Sequence, residues 1–223
     1  MNSKEFFKTS QPSPQEFLDI FEKVKEKQET LICLSLSSKL SGTYQSACLA
    51  KDMVDYENIY IVDTLTAAAG IRLLCEVAMN WIGENRSVES IVSGLEELKE
   101  RVHIYAGLDT LEYLAKGGRI SKTAAAIGTL ASIKPIICTD HGEVAVAGKT
   151  RGVNKATSVV CEKMHSDIVD TLYPVYTLYS YGLENVEKLE SKLDLDVNRV
   201  RIGSTIGVHI GPNAFGVCFV SKL

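Results

Sequence analysis

Two rhythms of apolar and polar positions run along the chain, and the switches between them outline its elements. Behind Ser13-Pro14-Gln15-Glu16, which has the form of a capping box with proline at the first helical position, Phe17, Ile20, Phe21 and Val24 recur at helical spacing, predicting a helix to about residue 27. Residues 31–36 (LICLSL) form a short apolar run that reads as a strand, 42–55 as a helix and 59–62 as a second strand ending at Asp63-Thr64. Ala67, Ile71, Leu74, Ala78 and Ile82 then mark a helix over 66–83, with Arg72 and Glu76 paired on another face. A further helix starts at Ser87 with Ile91, Leu95 and Leu98 inward, and 102–108 is a third strand. Strands alternating with long helices argue for a parallel, helix-covered sheet whose ligands bind at the carboxyl ends of the strands. Those ends are Ser37-Ser38, Asp63-Thr64 and Asp109-Thr110. Asp109, with Glu112, either caps a short helix through Lys116 or touches a ligand.

Beyond Gly117-Gly118 the texture changes. Residues 133–138, the turn Asp140-His141-Gly142 and 144–147 read as a hairpin, followed by a helix over about 153–165. A tyrosine-rich strand (173–179), a helix (183–193) and two strands (199–205 and 215–220) complete the chain. The expected class is therefore α/β with two domains, a parallel α/β/α domain over residues 1–115 and an α+β domain with an antiparallel sheet over 116–223. The glycine pair between them is too short to act as a flexible linker.

Composition narrows the function. A net charge of −4 with scattered Lys and Arg provides no basic stripe for nucleic acid and no polybasic membrane patch, so nucleic acid is excluded as a partner and membrane contact is at most transient. The six cysteines (33, 48, 75, 138, 161 and 218) never fall in C-x-x-C spacing, which disfavours zinc and disulfides and fits reduced thiols in a cytoplasm. No apolar leader opens the sequence, and the most apolar helix is broken by Arg72 and Glu76. Known catalytic signatures are also missing: no G-x-S-x-G, no phosphate-binding G-x-x-x-x-G-K-[ST], no H-E-x-x-H.

Four polar constellations remain. Within SLSSKLSGTYQSA (residues 35–47), six Ser and Thr hydroxyls fall in twelve residues between a strand and a helix N-terminus, with no carboxylate among them. The unpaired N–H groups and dipole of such a terminus favour an oxyanion, although a simple helix cap uses the same residues. Thr9-Ser10-Gln11-Pro12-Ser13 precedes another helix and could face the same anion. Lys116-Gly117-Gly118-Arg119-Ile120-Ser121-Lys122 surrounds a glycine pair with cations, and Gly207-Val208-His209-Ile210-Gly211-Pro212-Asn213 places a histidine between glycines. Solvated helix capping and a structural histidine account for these last two as readily as chemistry does. This inventory suits holding an anion better than breaking a bond.

In order and spacing, TSQPS, SSKLSGTYQSA, Val62-Asp63-Thr64, LEYLAKGGRISK leading to Ile133-Lys134-Pro135-Ile136, Lys149-Thr150-Arg151-Gly152 and Gly207 to Pro212 resemble the DegV family, and the likeness spans essentially the whole chain. The resemblance implies a DegV-like two-domain fold that binds a long-chain fatty acid between its domains, with no other cofactor and no catalysis of its own. It further implies a partner, the catalytic protein of a fatty acid kinase, to which the ligand's carboxylate is presented for acyl-phosphate formation. Thr9 and a serine of the SSKLSGT loop are then expected to bind the carboxylate, Ser41 first, with Ser37, Ser38, Gly42 and Thr43 nearby. His209 matches a histidine close to the carboxylate, Arg119 an arginine at the site mouth, and Arg151 one that meets the kinase. Family members begin with a further strand-bearing segment, so the N-terminal sheet is expected to be incomplete, with an exposed edge. The rival expectation is a phosphotransferase or hydrolase for a small anion, with His209 as acid/base and Arg119 as clamp.

Overall fold

A computed structural model describes residues 6–120 and 133–223. The first helix, α1 (Pro14–Glu26), carries the reciprocal capping box of Ser13 and Glu16 and buries Leu18 and Phe21. These meet Ala47, Ala50 and Val54 of α2 (Thr43–Val54) over Ile59, so α1 and α2 cover one face of a two-stranded parallel sheet. Its strands β1 (Leu31–Ser35) and β2 (Ile59–Asp63) pair in register from Leu31 with Ile59 to Ser35 with Asp63. On its other face lie α3 (Ala69–Gly83) and α4 (Val88–Leu98), the latter capped by Ser87. β1 has no second neighbour among the described residues, and its four apolar residues, Leu31 to Leu34, are each partly exposed.

The second sheet has six strands in the order β5-β4-β3-β8-β6-β7. These are β3 (Val102–Gly107), β4 (Ile133–Asp140), β5 (Glu143–Arg151), β6 (Tyr176–Tyr179), β7 (Asn198–Arg201) and β8 (Phe215–Val220). Leu73, Leu74, Leu95 and Leu98 of α3 and α4 pack on Ile104, Leu178, Cys218 and Val220, so these two helices are sandwiched between the sheets. On the far face, α6 (Val153–Ser166) and α7 (Glu184–Glu190) cover Ile136, Phe215, Val217 and Phe219. Two short helices, α5 (Glu112–Gly117) and α8 (Ser204–Ile210), pack together beside the sheet through Leu111, Leu114 and Ile210.

The structure corrects the sequence reading in three places. The strand expected to extend the parallel sheet, β3, is instead central in the second sheet, antiparallel to both β4 and β8. Its alternation fixes which residues face a core, and it says nothing about which sheet supplies the neighbours. That second sheet is mixed, not antiparallel, because β6 and β7 pair in parallel across the α7 crossover. Residues 199–205, read as one strand, divide into the end of β7 and the start of α8, and this helix carries His209. The hairpin is confirmed, its turn residues His141 and Gly142 both at positive φ (44° and 86°), the type I′ geometry that matches strand twist.

Candidate functional site

Between the carboxyl ends of β1 and β2 and the α3-facing side of the second sheet lies a cavity of about 450 Å3. Its interior is aliphatic: Leu36 and Leu40 from the loop after β1, Ile104 and Ala106 from β3, Ile137 from β4 and Leu178 from β6. Thr9, Ser10, Ser41, Thr43, Arg119 and His209 add polar groups to the lining, as do Thr139 and Thr205. That size lies within the range of about 300–1,000 Å3 usual for small-molecule sites, as does an apolar lining with few convergent polar groups.

Local structure explains how residues far apart in sequence meet. After β1, the backbone turns through Ser37, Leu40 and Ser41, whose N–H groups bond Thr66 O (from Ser37, 3.0 Å) and Ser37 O (from Leu40 and Ser41, 3.0 and 3.2 Å). Ser41 and Thr43 hydroxyls lie 2.9 Å apart at the mouth. α2 begins at Gly42 with no side-chain cap, so its first-turn N–H groups and positive dipole end stand beside these hydroxyls. The segment before α1 crosses the same mouth: Phe6 stacks on Tyr113, Thr9 Oγ1 lies 2.8 Å from His209 Nε2, and the Gln11 amide donates to Ser46 Oγ at 3.1 Å. Arg119 is held by two backbone carbonyls, donating from Nε to Leu40 O (3.1 Å) and from Nη1 to Gly117 O (2.5 Å). Burial, and then the neighbouring Arg119 guanidinium, push the His209 imidazole below its ordinary pKa, so it is neutral at physiological pH.

Of the residues singled out from sequence, Thr9, Ser41, Thr43, Arg119 and His209 are brought together. The others are not. Ser37 is fully buried and donates its hydroxyl to Gly142 O at 2.7 Å, tying the loop to the hairpin turn. Ser38 gives its N–H to Asp63 Oδ1 at 3.0 Å, linking the two strand ends. Gly42 lies beneath Gln11, where an added Cβ would fall 1.8 Å from Gln11 Oε1. Arg151 is exposed at the end of β5, paired with Ile133 and away from the cavity lining. Asp109 neither caps nor lines the site; its carboxylate accepts from Lys134 Nζ (2.6 Å) and Asn213 Nδ2 (2.8 Å), while Thr110 caps the turn. Ser121 and Lys122 lie outside the described residues.

Sequence reasoning missed Gln11 as the cover of the α2 terminus, and the alanines at the start of α3. Ala67 and Ala68 line the cavity, and Ala68 takes φ 50° as the residue before that helix, which therefore starts later than expected. A backbone contribution from alanine leaves no chemical signature in a sequence.

Together these features define an α/β protein with a largely apolar cavity beside a hydroxyl-rich, carboxylate-free mouth. Residues 1–222 match the DegV family of uncharacterised proteins, and the chain belongs to that family. A DegV domain-containing protein of Clostridium acetobutylicum is 36% identical over 217 residues, covering 96% of this chain and 78% of that one. A DegV family protein of Thermus thermophilus, solved as a fatty-acid binder, superposes with a TM-score of 0.86 at 30% identity, covering 96% of this chain and 79% of the other. A stearic-acid-binding protein of Eubacterium ventriosum does so at 0.86 and 29% identity, covering 99% and 80%. Among the described residues no helix is long and apolar enough to cross a membrane.

Proposed function

We infer that this protein binds a long-chain fatty acid with its tail in the cavity and its carboxylate at the mouth, among the hydroxyls of Thr9, Ser41 and Thr43, with His209 adjacent. The observation that carries the reading is one cavity whose lining is mostly aliphatic, shared with the hydroxyls of Thr9, Ser41 and Thr43 and holding no carboxylate. The fatty-acid-binding relatives of the same fold support it. Burying a methylene is worth about 0.8 kcal/mol, so roughly fourteen contribute on the order of 11 kcal/mol gross before ordering costs. The carboxylate regains its lost hydration from neutral hydroxyls and backbone N–H groups. No salt bridge to the ligand is needed, which leaves the carboxylate nucleophilic.

We further propose that the chain works in the cytoplasm and is not itself an enzyme. It offers the held carboxylate to a separate fatty acid kinase catalytic protein, with Arg119 at the mouth and Arg151 on the surface that meets this partner. Native mass spectrometry of the purified chain, followed by denaturing extraction, tests the binding role: a stoichiometric fatty acid, or uptake of added oleate, is expected. An empty chain that takes up no oleate defeats it. For the partner, lipid-loaded chain should yield acyl phosphate with ATP only when a fatty acid kinase catalytic protein is added. Turnover by the chain alone, abolished in His209→Ala, would establish the small-anion enzyme in its place.

A further inference from the structure

The second sheet contains a parallel pair of its own. β6 and β7 are joined by the α7 crossover and pair in register, Tyr179 beside Arg201, and the carboxyl ends of parallel strands are where α/β sheets leave a crevice for ligands. Both strands end at a cleft of about 580 Å3 lined by Ser180, Tyr181, Arg201, Ile202, Ser204 and Pro212, together with Gly203. It shares Ile202 with the lipid cavity and none of that cavity's polar groups.

Every polar side chain of this lining can donate a hydrogen bond, and none is a carboxylate. Ser180 is fixed by two bonds to Ala214: its N–H donates to Ala214 O (3.1 Å) and its Oγ accepts from Ala214 N–H (3.0 Å). It is only 4% exposed, and its own O–H finds no acceptor among the described residues. A buried hydroxyl that accepts without donating is incomplete, and an acceptor in the cleft completes it. Arg201 brings the charge. Two residues earlier on the same face of β7, Arg199 is neutralised by Glu187 and Glu190 of α7. Arg201 is exposed and has no such partner among the described residues. Two guanidinium N–H groups and the hydroxyls of Ser180, Tyr181 and Ser204 make five donors. A carboxylate has about four lone-pair sites, whereas a phosphate has three terminal oxygens to share among them. The cleft also has the size of a small-molecule site and is far larger than a phosphate group, and the Tyr181 ring, Ile202 and Pro212 give it an apolar side. We propose that this cleft binds a phosphate monoester, its phosphate held by Arg201, Ser180 and Ser204 and its organic body lying against Tyr181, Ile202 and Pro212. The site is additional to the lipid cavity and stands independently of what that cavity holds.

Phenyl phosphate is the probe, titrated at pH 8 into the uniformly labelled full chain by calorimetry and by 1H–15N correlation spectra. Saturable one-to-one binding is expected, with the largest shifts at the amides of Ser180, Tyr181 and Ser204. A response that never saturates, or shifts confined to Thr9, Ser41 and Thr43, overturns the proposal. Arg201→Gln should weaken binding by about tenfold or more, as loss of a hydrogen bond to a charged group does. Arg201→Lys, which keeps the charge and loses the two-pronged donor, should fall between that variant and the wild type. Unchanged affinity in Arg201→Gln, with a melting temperature equal to the wild type's, sinks the site. Benzoate retains the ring but presents a carboxylate, and it should bind at least tenfold more weakly; equal affinity rejects the phosphate. Inorganic phosphate should also bind more weakly, and parity with phenyl phosphate rejects the organic body. Excess oleate should leave the titration unchanged. If oleate displaces the probe, the phosphate sat at the polar mouth of the lipid cavity and the proposal fails.

Discussion

Thr9, Ser41 and Thr43 illustrate how much a hydroxyl's neighbours decide its use. Ser37 lies in the same hydroxyl run yet is spent inside the protein, bonded to Gly142 O across 105 positions of sequence. Ser37→Ala leaves that buried carbonyl unpaired, and the expected result in urea denaturation is a loss of about 1–3 kcal/mol with oleate affinity essentially kept. Ser41→Ala should do the reverse, weakening oleate binding about tenfold in titration calorimetry while barely moving the unfolding midpoint. Acid sensitivity is also set at single residues. Burial holds both His103 and His209 below their ordinary pKa, so the unfolded chain takes up protons more readily than the folded one. Their contribution to stability is complete above the unfolded value of about 6.5 and is lost as pH falls below it toward the depressed folded values. The melting temperature should therefore drop between pH 7 and pH 5, and the double variant His103→Gln/His209→Gln should flatten that part of the profile.

Among the elements, legibility in the sequence followed how local the determining force is. α1 was readable from Ser13, Pro14 and Glu16 because a capping box satisfies its own N–H groups within four residues. β8 (Phe215–Val220) was equally plain as an apolar run. By contrast, β3 was assigned to the wrong sheet, since Val102, Ile104 and Ala106 would face a core in either one and only the pairing with β8 decides. α8 escaped because Thr205, Ile206 and Val208 are β-branched, and its helicity depends on packing against α5, where Gly211, at φ 77°, leaves room for the Tyr113 ring. The polar mouth was read largely from its hydroxyls, but the division of labour within SSKLSGT was hidden, since it is set by a hairpin a hundred residues away. Gly42 tests that loop. An alanine there must displace the Gln11 carboxamide from above α2, and Gly42→Ala is expected to lower oleate affinity more than stability, as seen by comparing titration with thermal melts.

At the scale of the whole molecule, the cavity is a gap that the packing of the two sheets leaves open, so filling it should be tolerated. Ala106→Leu adds bulk to the β3 wall of a space that holds no protein atoms. Oleate uptake should be abolished with the melting temperature unchanged or raised; a large fall in stability would show that the wall cannot accept the side chain. Ligand in turn should stabilise the native chain. At a free concentration about a hundredfold above Kd the gain is about 2.7 kcal/mol, which for a chain of this size corresponds to a rise of roughly 5–10 °C.

The contact between Thr9 and His209 joins positions 200 residues apart in a chain of 223. A ribosome making this protein therefore releases the first half of the mouth long before the second half exists. Synthesis at about 5–20 residues per second leaves α1 and the β1–β2 sheet waiting roughly 7 seconds or more for α8. During that time the aliphatic surfaces destined to line the cavity lack their α8 wall, and the mouth stays open. Closure of the mouth thus waits until the segments around Thr9 and His209 have both been made and have met.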